Sequence, residues 1–148
     1  MAKEFAKEDL KKYAAGKRRD YEEALERMVE IPTVSVEPER KSDVRRGAEY
    51  AVSLLEAKGA KARLYETKGH PIVYGRFDRG PNLPTLTVYN HLDVQPAEGP
   101  DWKTPPFDFV KKDDRYFGRG TTDDKGPALT ALLGARAARD AGVPVNIR

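Results

Sequence analysis

Apolar residues recur at helical spacing near the N-terminus. Tyr21, Ala24, Leu25, Met28 and Val29 fall at i, i+3, i+4, i+7 and i+8, which lines one face of a helix. The pattern predicts helix over Lys3 to Glu30, with Gly16 able to break it in two. Ile31-Pro32 ends the run, because a residue before proline avoids the helical region. Thr33 to Arg40 reads as a loop. A second stripe, Val44, Ala48, Ala51, Val52 and Leu55, predicts a helix with Ser42 as N-cap and Lys58-Gly59 as its end.

Short apolar segments follow, separated by Gly and Pro. Ala62 to Glu66, Ile72 to Phe77 and Leu86 to Asn90 have the length and the Val, Ile, Tyr and Thr content of strands. Gly80-Pro81-Asn82 marks a turn between the last two. Gln95 to Pro106 reads as a loop around Trp102, and Lys111 to Phe117 as a hairpin turning at Asp113-Asp114. Ala128 to Ala141 predicts an Ala- and Leu-rich helix ended by Gly142, and Val143 to Arg148 begins a strand. Helices and short strands in alternation predict an α/β sandwich. A strand barely begun at Arg148 is a poor place for a domain to finish, so the chain reads as a piece of a larger one.

Composition narrows the class. The 148 residues are one domain's length, and 39% apolar residues exclude a disordered chain. The 27 Lys and Arg against 24 Asp and Glu leave +3, spread along the chain, so neither nucleic acid nor a membrane surface is an expected partner. With no cysteine, a disulfide scaffold, a thiolate metal site and a cysteine nucleophile are excluded. No apolar run approaches the roughly 18 residues that span a bilayer. Met1 to Asp20 alternates charges and lacks the apolar stretch of a signal peptide, so the expected location is the cytoplasm.

Candidate chemistry lies in two places. His91 stands at the carboxyl end of Leu86 to Asn90, where open α/β sheets place their ligand sites. On an extended chain Asp93 points to the same side. Its carboxylate can hold one imidazole nitrogen and leave the other for a metal. The alternative is a strand-end histidine whose hydrogen bonds are satisfied. The second place is Gly118-Arg119-Gly120-Thr121-Thr122-Asp123-Asp124-Lys125-Gly126-Pro127. Its glycines permit a tight turn, and two adjacent acids before a helix suit a hard cation. The alternative here is that one acid caps the helix. Phosphate binding is set aside, because the order of a phosphate loop is missing and acids stand where phosphates would sit.

Together these stretches, with Val94-Gln95-Pro96, Trp102, Pro105-Pro106-Phe107 and Ile31-Pro32-Thr33-Val34-Ser35, resemble the dinuclear-zinc peptidase family. That family includes carnosinase, cytosolic nonspecific dipeptidase, acetylornithine deacetylase and succinyl-diaminopimelate desuccinylase. The resemblance runs from about Tyr21 to Arg148, and Val94 to Pro96 with Trp102 to Phe107 favour the dipeptidase branch. It implies a partial three-layer α/β sandwich, with residues 1–148 forming the N-terminal part of a catalytic domain. It implies that His91 ligates one metal, that Asp93 is the catalytic acid that orients this histidine, and that Asp123 bridges two metals. Asp124 would follow across a cis peptide bond, with Lys125, Gly126 and Pro127 supporting the turn. The implied cofactor is zinc, with manganese or cobalt compatible. The implied reaction is hydrolysis of a peptide bond beside a free carboxylate, with a dipeptide or a small N-acyl amino acid as substrate.

The family pattern continues with a Glu-Glu pair, an acidic ligand, a distal histidine and a lid and dimerisation domain, none of which follows Arg148. Glu22-Glu23 precedes the first motif and does not match that pair. The chain alone is therefore expected to be inert, with the rest of the peptidase as a partner, or else to be a non-catalytic domain on the same scaffold. His70 reads as a surface residue, Trp102 and Pro105-Pro106-Phe107 as loop packing, and Arg119 as the partner of a nearby acid.

Overall fold

The computed structural model describes residues 7–148. The predicted helix over Lys3 to Glu30 breaks where Gly16 suggests, into α1 (Lys7–Gly16) and α2 (Arg18–Glu30); residues 3–6 lie outside the described part. The apolar stripe of α2 is the heart of the core. Ala24, Leu25, Met28 and Val29 are buried with Leu129, and Tyr21, Leu92, Phe109 and Tyr116 pack around them. A 3-10 turn at Pro38–Arg40 leads into α3 (Lys41–Ala57). Ser42 is not the N-cap: Arg40 holds that position without a side-chain cap, because the 3-10 turn starts the coil earlier. At the far end, the guanidinium groups of Arg136 and Arg139 cover the carbonyls of Lys58 and Gly59.

The strands are β1 (Lys61–Tyr65), β2 (Ile72–Arg76), β3 (Thr85–Leu86), β4 (Val110–Lys112), β5 (Arg115–Phe117) and β6 (Asn146–Ile147). β1 and β2 pair antiparallel beneath α3. Phe77 bridges Ile147, and β6 pairs in parallel with β3, so the order across these pieces is β1, β2, β6, β3. The predicted strand Leu86 to Asn90 is shorter than expected. The parallel ladder runs out at Arg148, whose carbonyl accepts the Val88 N–H at 2.8 Å, and Tyr89 is 85% exposed. β4 and β5 form the expected hairpin, with Asp113 and Asp114 at φ 50° and 59°, as a primed two-residue turn requires. α4 (Lys125–Asp140) begins three residues before the predicted start, since Pro127 is tolerated in a first turn. The α/β class holds, with α2 against α4 and α3 against the β1–β2 pair.

Glu22 ties the hairpin to α2. Its Oε1 accepts from Lys111 Nζ at 2.7 Å, Tyr116 Oη at 2.8 Å and Arg18 Nε at 2.9 Å. Lys111, then Arg18 and Tyr116, hold this carboxyl down at about 2 against an ordinary 4.5. A carboxyl held low in the folded state stabilises above its unfolded value and loses that contribution as pH falls through the folded one. Between pH 4.5 and about 2 the native chain is therefore expected to lose stability that Glu22→Gln lacks at every pH. Urea midpoints against pH should show a shallower acid limb for the variant.

Candidate metal site

The site forms where two loops meet at one end of α4. His91 and Asp93 follow the β3 segment, and Asp123 and Asp124 precede α4. Asp124 joins the loops: its Oδ2 accepts from Asn90 Nδ2 at 2.9 Å and from the His91 N–H at 3.2 Å. It stands at the N-cap position of α4, but its side chain makes no cap hydrogen bond, which removes the helix-capping alternative for this acid. The Asp123–Asp124 peptide is cis.

His91 then faces Asp123, with Nε2 3.0 Å from Oδ1. On the other side of the ring, Nδ1 lies 3.2 Å from the Asp93 carbonyl and 3.4 Å from Asp93 Oδ1. The same-side expectation for His91 and Asp93 is met, with the Asp93 backbone oxygen sharing Nδ1. A carbonyl only accepts, so Nδ1 carries the proton, a tautomer assigned from its partners. A neutral ring would then aim its Nε2 lone pair at a carboxylate. The pair is satisfied by a proton on Nε2 or by a cation between the two atoms. Burial pushes the His91 imidazole down, but the Asp93 carbonyl and the charges of Asp93, Asp123 and Asp124 outweigh it and leave the group raised. An imidazole nitrogen opposed to a carboxylate suits zinc, manganese or cobalt. Among the described residues no three His, Asp or Glu side chains converge on one point, so these residues offer fewer donors than a zinc site uses.

The Asp123 turn is braced from below. Lys125, 1% exposed, sends its ammonium to the Met28 and Ile31 carbonyls at 2.7 and 2.8 Å. These oxygens lie at the C-terminal end of α2, where helix carbonyls lack intrahelical partners. Burial pushes Lys125 down to about 8. Gly120, at φ +93°, lies over this side chain, and a Cβ there would come within 2.9 Å of both Lys125 Cδ and Val94 Cγ1. Gly126 backs onto the Thr121 carbonyl so closely that a Cβ would overlap its oxygen.

Several expectations need correction. Among the described residues Arg119 meets no acid: its Nη2 donates to the Pro96 carbonyl at 3.0 Å and its guanidinium lies 5.0 Å from the Trp102 ring centroid. Trp102 is half-buried in that contact, as loop packing predicts. His70 is not a free surface residue. It is partly buried, its Nε2 donates to the Ser35 carbonyl at 2.9 Å, and it lines a cleft of ≈ 600 Å³ together with Ser35, His91 and Asp93. The remaining wall is largely apolar, from α3, β2 and α4. Asn90, Ser35 and His70 are the residues that sequence reasoning missed; Asn90 and Ser35 sat inside quoted motifs, while His70 carried no local signal.

Residues 87–148 match the family described as peptidase family M20/M25/M40. A Cys-Gly metallodipeptidase of Schizosaccharomyces pombe is 36% identical over 145 residues, which covers 88% of this chain and 30% of that protein. The chain belongs to peptidase family M20/M25/M40. Within that family, the human Beta-Ala-His dipeptidase is 38% identical over 81 residues, 53% of this chain and 16% of that protein. The solved structure of the dipeptidase Dug1p from Saccharomyces cerevisiae superposes with a TM-score of 0.83 at 28% identity, over 92% of this chain and 32% of that one. The mixed helix and strand arrangement is thus that of the M20 dipeptidases. The chain spans about 30% of the length of the first of these relatives.

Proposed function

We propose that this chain is the N-terminal part of the catalytic domain of a metal-dependent dipeptidase or carboxypeptidase, hydrolysing a peptide bond beside a free carboxylate. The observation that carries the reading is the opposition of His91 Nε2 and Asp123 Oδ1 at 3.0 Å, with Nδ1 of the same ring held by Asp93. His91 and Asp123 are the ligands in this reading, and zinc is the cation. When bound, a zinc pair supplies Lewis acidity to a water and to the scissile carbonyl. Asp93 keeps the His91 proton on Nδ1. Asp124 fixes the separation of the two loops through Asn90 and the His91 N–H, and Lys125 and Gly126 seat the turn against α2. The dipeptidase branch is favoured because relatives at 36% and 38% identity are dipeptidases, whereas a probable succinyl-diaminopimelate desuccinylase of Staphylococcus aureus matches at 29%. The cysteine-free composition accords with a cytoplasmic setting.

The chain alone is inert in this reading. Glu22, the acid nearest in kind to a missing base, is committed to Lys111, Arg18 and Tyr116. The test is dipeptide hydrolysis in the presence of zinc, with and without the segment of the Schizosaccharomyces pombe relative that lies beyond the match. No turnover alone, and turnover on co-assembly that Asp93→Ala abolishes, is expected. Turnover by the chain alone contradicts its inertness. A verified complex without turnover favours a non-catalytic domain on the same scaffold.

A further inference from the structure

The loop after α2 runs beside the segment that carries His91 and Asp93. Val34 bridges Val94 in parallel, the Val94 N–H donates to the Thr33 carbonyl at 3.0 Å, and Thr33 Oγ1 donates to the Leu92 carbonyl at 2.6 Å. Thr33 is 2% exposed and Val34 1%, so this register is buried and firm. One residue beyond the bridge, Ser35 lies within reach of the Asp93 side chain, and its Oγ donates to Asp93 Oδ2 at 2.6 Å. From the other side, His70 Nε2 holds the Ser35 carbonyl. The other carboxylate oxygen, Oδ1, lies 3.4 Å from His91 Nδ1, beside the Asp93 carbonyl at 3.2 Å.

An aspartate carboxylate turns easily about its last torsion, and that of Asp93 is 46% exposed. A short hydroxyl-to-carboxylate bond removes this freedom more effectively than a neutral bond would. We propose that Ser35 is a positioning residue of the site: its hydroxyl fixes the Asp93 carboxylate so that Oδ1 joins the Asp93 carbonyl in holding the His91 proton on Nδ1, which turns Nε2 to Asp123. His70 serves the same end by anchoring the Ser35 backbone. The effect on zinc affinity rests on the reading of His91 and Asp123 as ligands; the effect on the His91 tautomer does not.

The chain has two histidines, so nitrogen-15 histidine spectra resolve both rings. At alkaline pH the parent is expected to show His91 protonated on Nδ1, and Ser35→Ala a raised share of the Nε2 form, because the carbonyl then holds the proton without a fixed carboxylate beside it. Zinc affinity by calorimetry should fall by about 10-fold or more, the usual consequence of removing an outer partner of a metal-binding histidine. On an Asp93→Asn background, Ser35→Ala should cost nothing further, because Ser35 acts through that carboxylate. Should Ser35→Ala fail to fold, the near-isosteric pair Ser35→Thr and Ser35→Val replaces it, with the parent tautomer expected in the first alone. A parent-like tautomer in Ser35→Ala or Ser35→Val, or an additive loss with Asp93→Asn, overturns the proposal. A parent that binds no zinc defeats the metal reading instead, and the tautomer comparison still decides the role of Ser35.

Discussion

Lys125→Met is expected to destabilise the chain by roughly 2–4 kcal/mol at neutral pH, the largest loss from any single change near the site. Methionine matches the length of the buried stem but donates nothing, so the Met28 carbonyl loses its donor and the Ile31 carbonyl keeps only the Thr33 N–H. A buried carbonyl left without a donor costs about 1–3 kcal/mol, and relief of the charge that burial disfavours offsets part of the sum. The offset gives the prediction its signature. The folded Lys125 titrates at about 8 and the unfolded one at 10.5, so between these values the unfolded state binds more protons. Stability conferred by this residue therefore rises with pH across that window. The neutral amine still donates, so the gap between parent and Lys125→Met should widen from pH 8 to 10.5 in urea titrations. A gap that narrows over that range would show that the ammonium, not the amine, is the form the fold favours.

Gly126→Ala is expected to destabilise as well, although alanine is the better helix former by about 1 kcal/mol. The new methyl would overlap the Thr121 carbonyl oxygen, which is main chain and cannot swing aside. Overpacking typically costs about 1–3 kcal/mol, and a backbone collision belongs at the upper end, so the clash outweighs the propensity gain. The turn from Thr121 to Lys125 must shift to relieve it, and Asp123 with it. The variant should thus show two losses together: a lower unfolding midpoint and weaker zinc binding. Gly126→Ala with parent-like values of both would mean that the turn is soft, and that the backbone contact does not set where Asp123 sits.

The helices and the chemistry-bearing loops were legible because their signals are local. The Tyr21 to Val29 stripe is a periodicity within one turn-length of itself, and Leu25 and Val29 are fully buried as it requires. His91-x-Asp93 and Asp123-Asp124 were legible because motif residues lie side by side in the chain. What failed was longer in range. Ser35 meets Asp93 across 58 residues, and His70 meets Ser35 across 35, by a path that only the packed loop after α2 defines. Lys125 is legible as a support of the turn, but not its partners, which lie at the end of a helix 94 and 97 residues earlier. Arg119 was misassigned because charge suggested an acid, while the neighbour that the fold supplies is the face of Trp102. Ser42 was misassigned because a 3-10 turn, which leaves no apolar period, moved the helix start to Lys41. The strand Leu86 to Asn90 fell short because its length depends on a partner strand and not on its own composition.

The most direct test of the account is a zinc titration by calorimetry of the chain, with His91→Ala and Asp123→Ala measured beside it. The account predicts weak binding in the parent, as two donors from one chain should give, and its loss in both variants. Binding that survives both substitutions, or no binding in the parent, would contradict the assignment of His91 and Asp123 as the halves of a metal site.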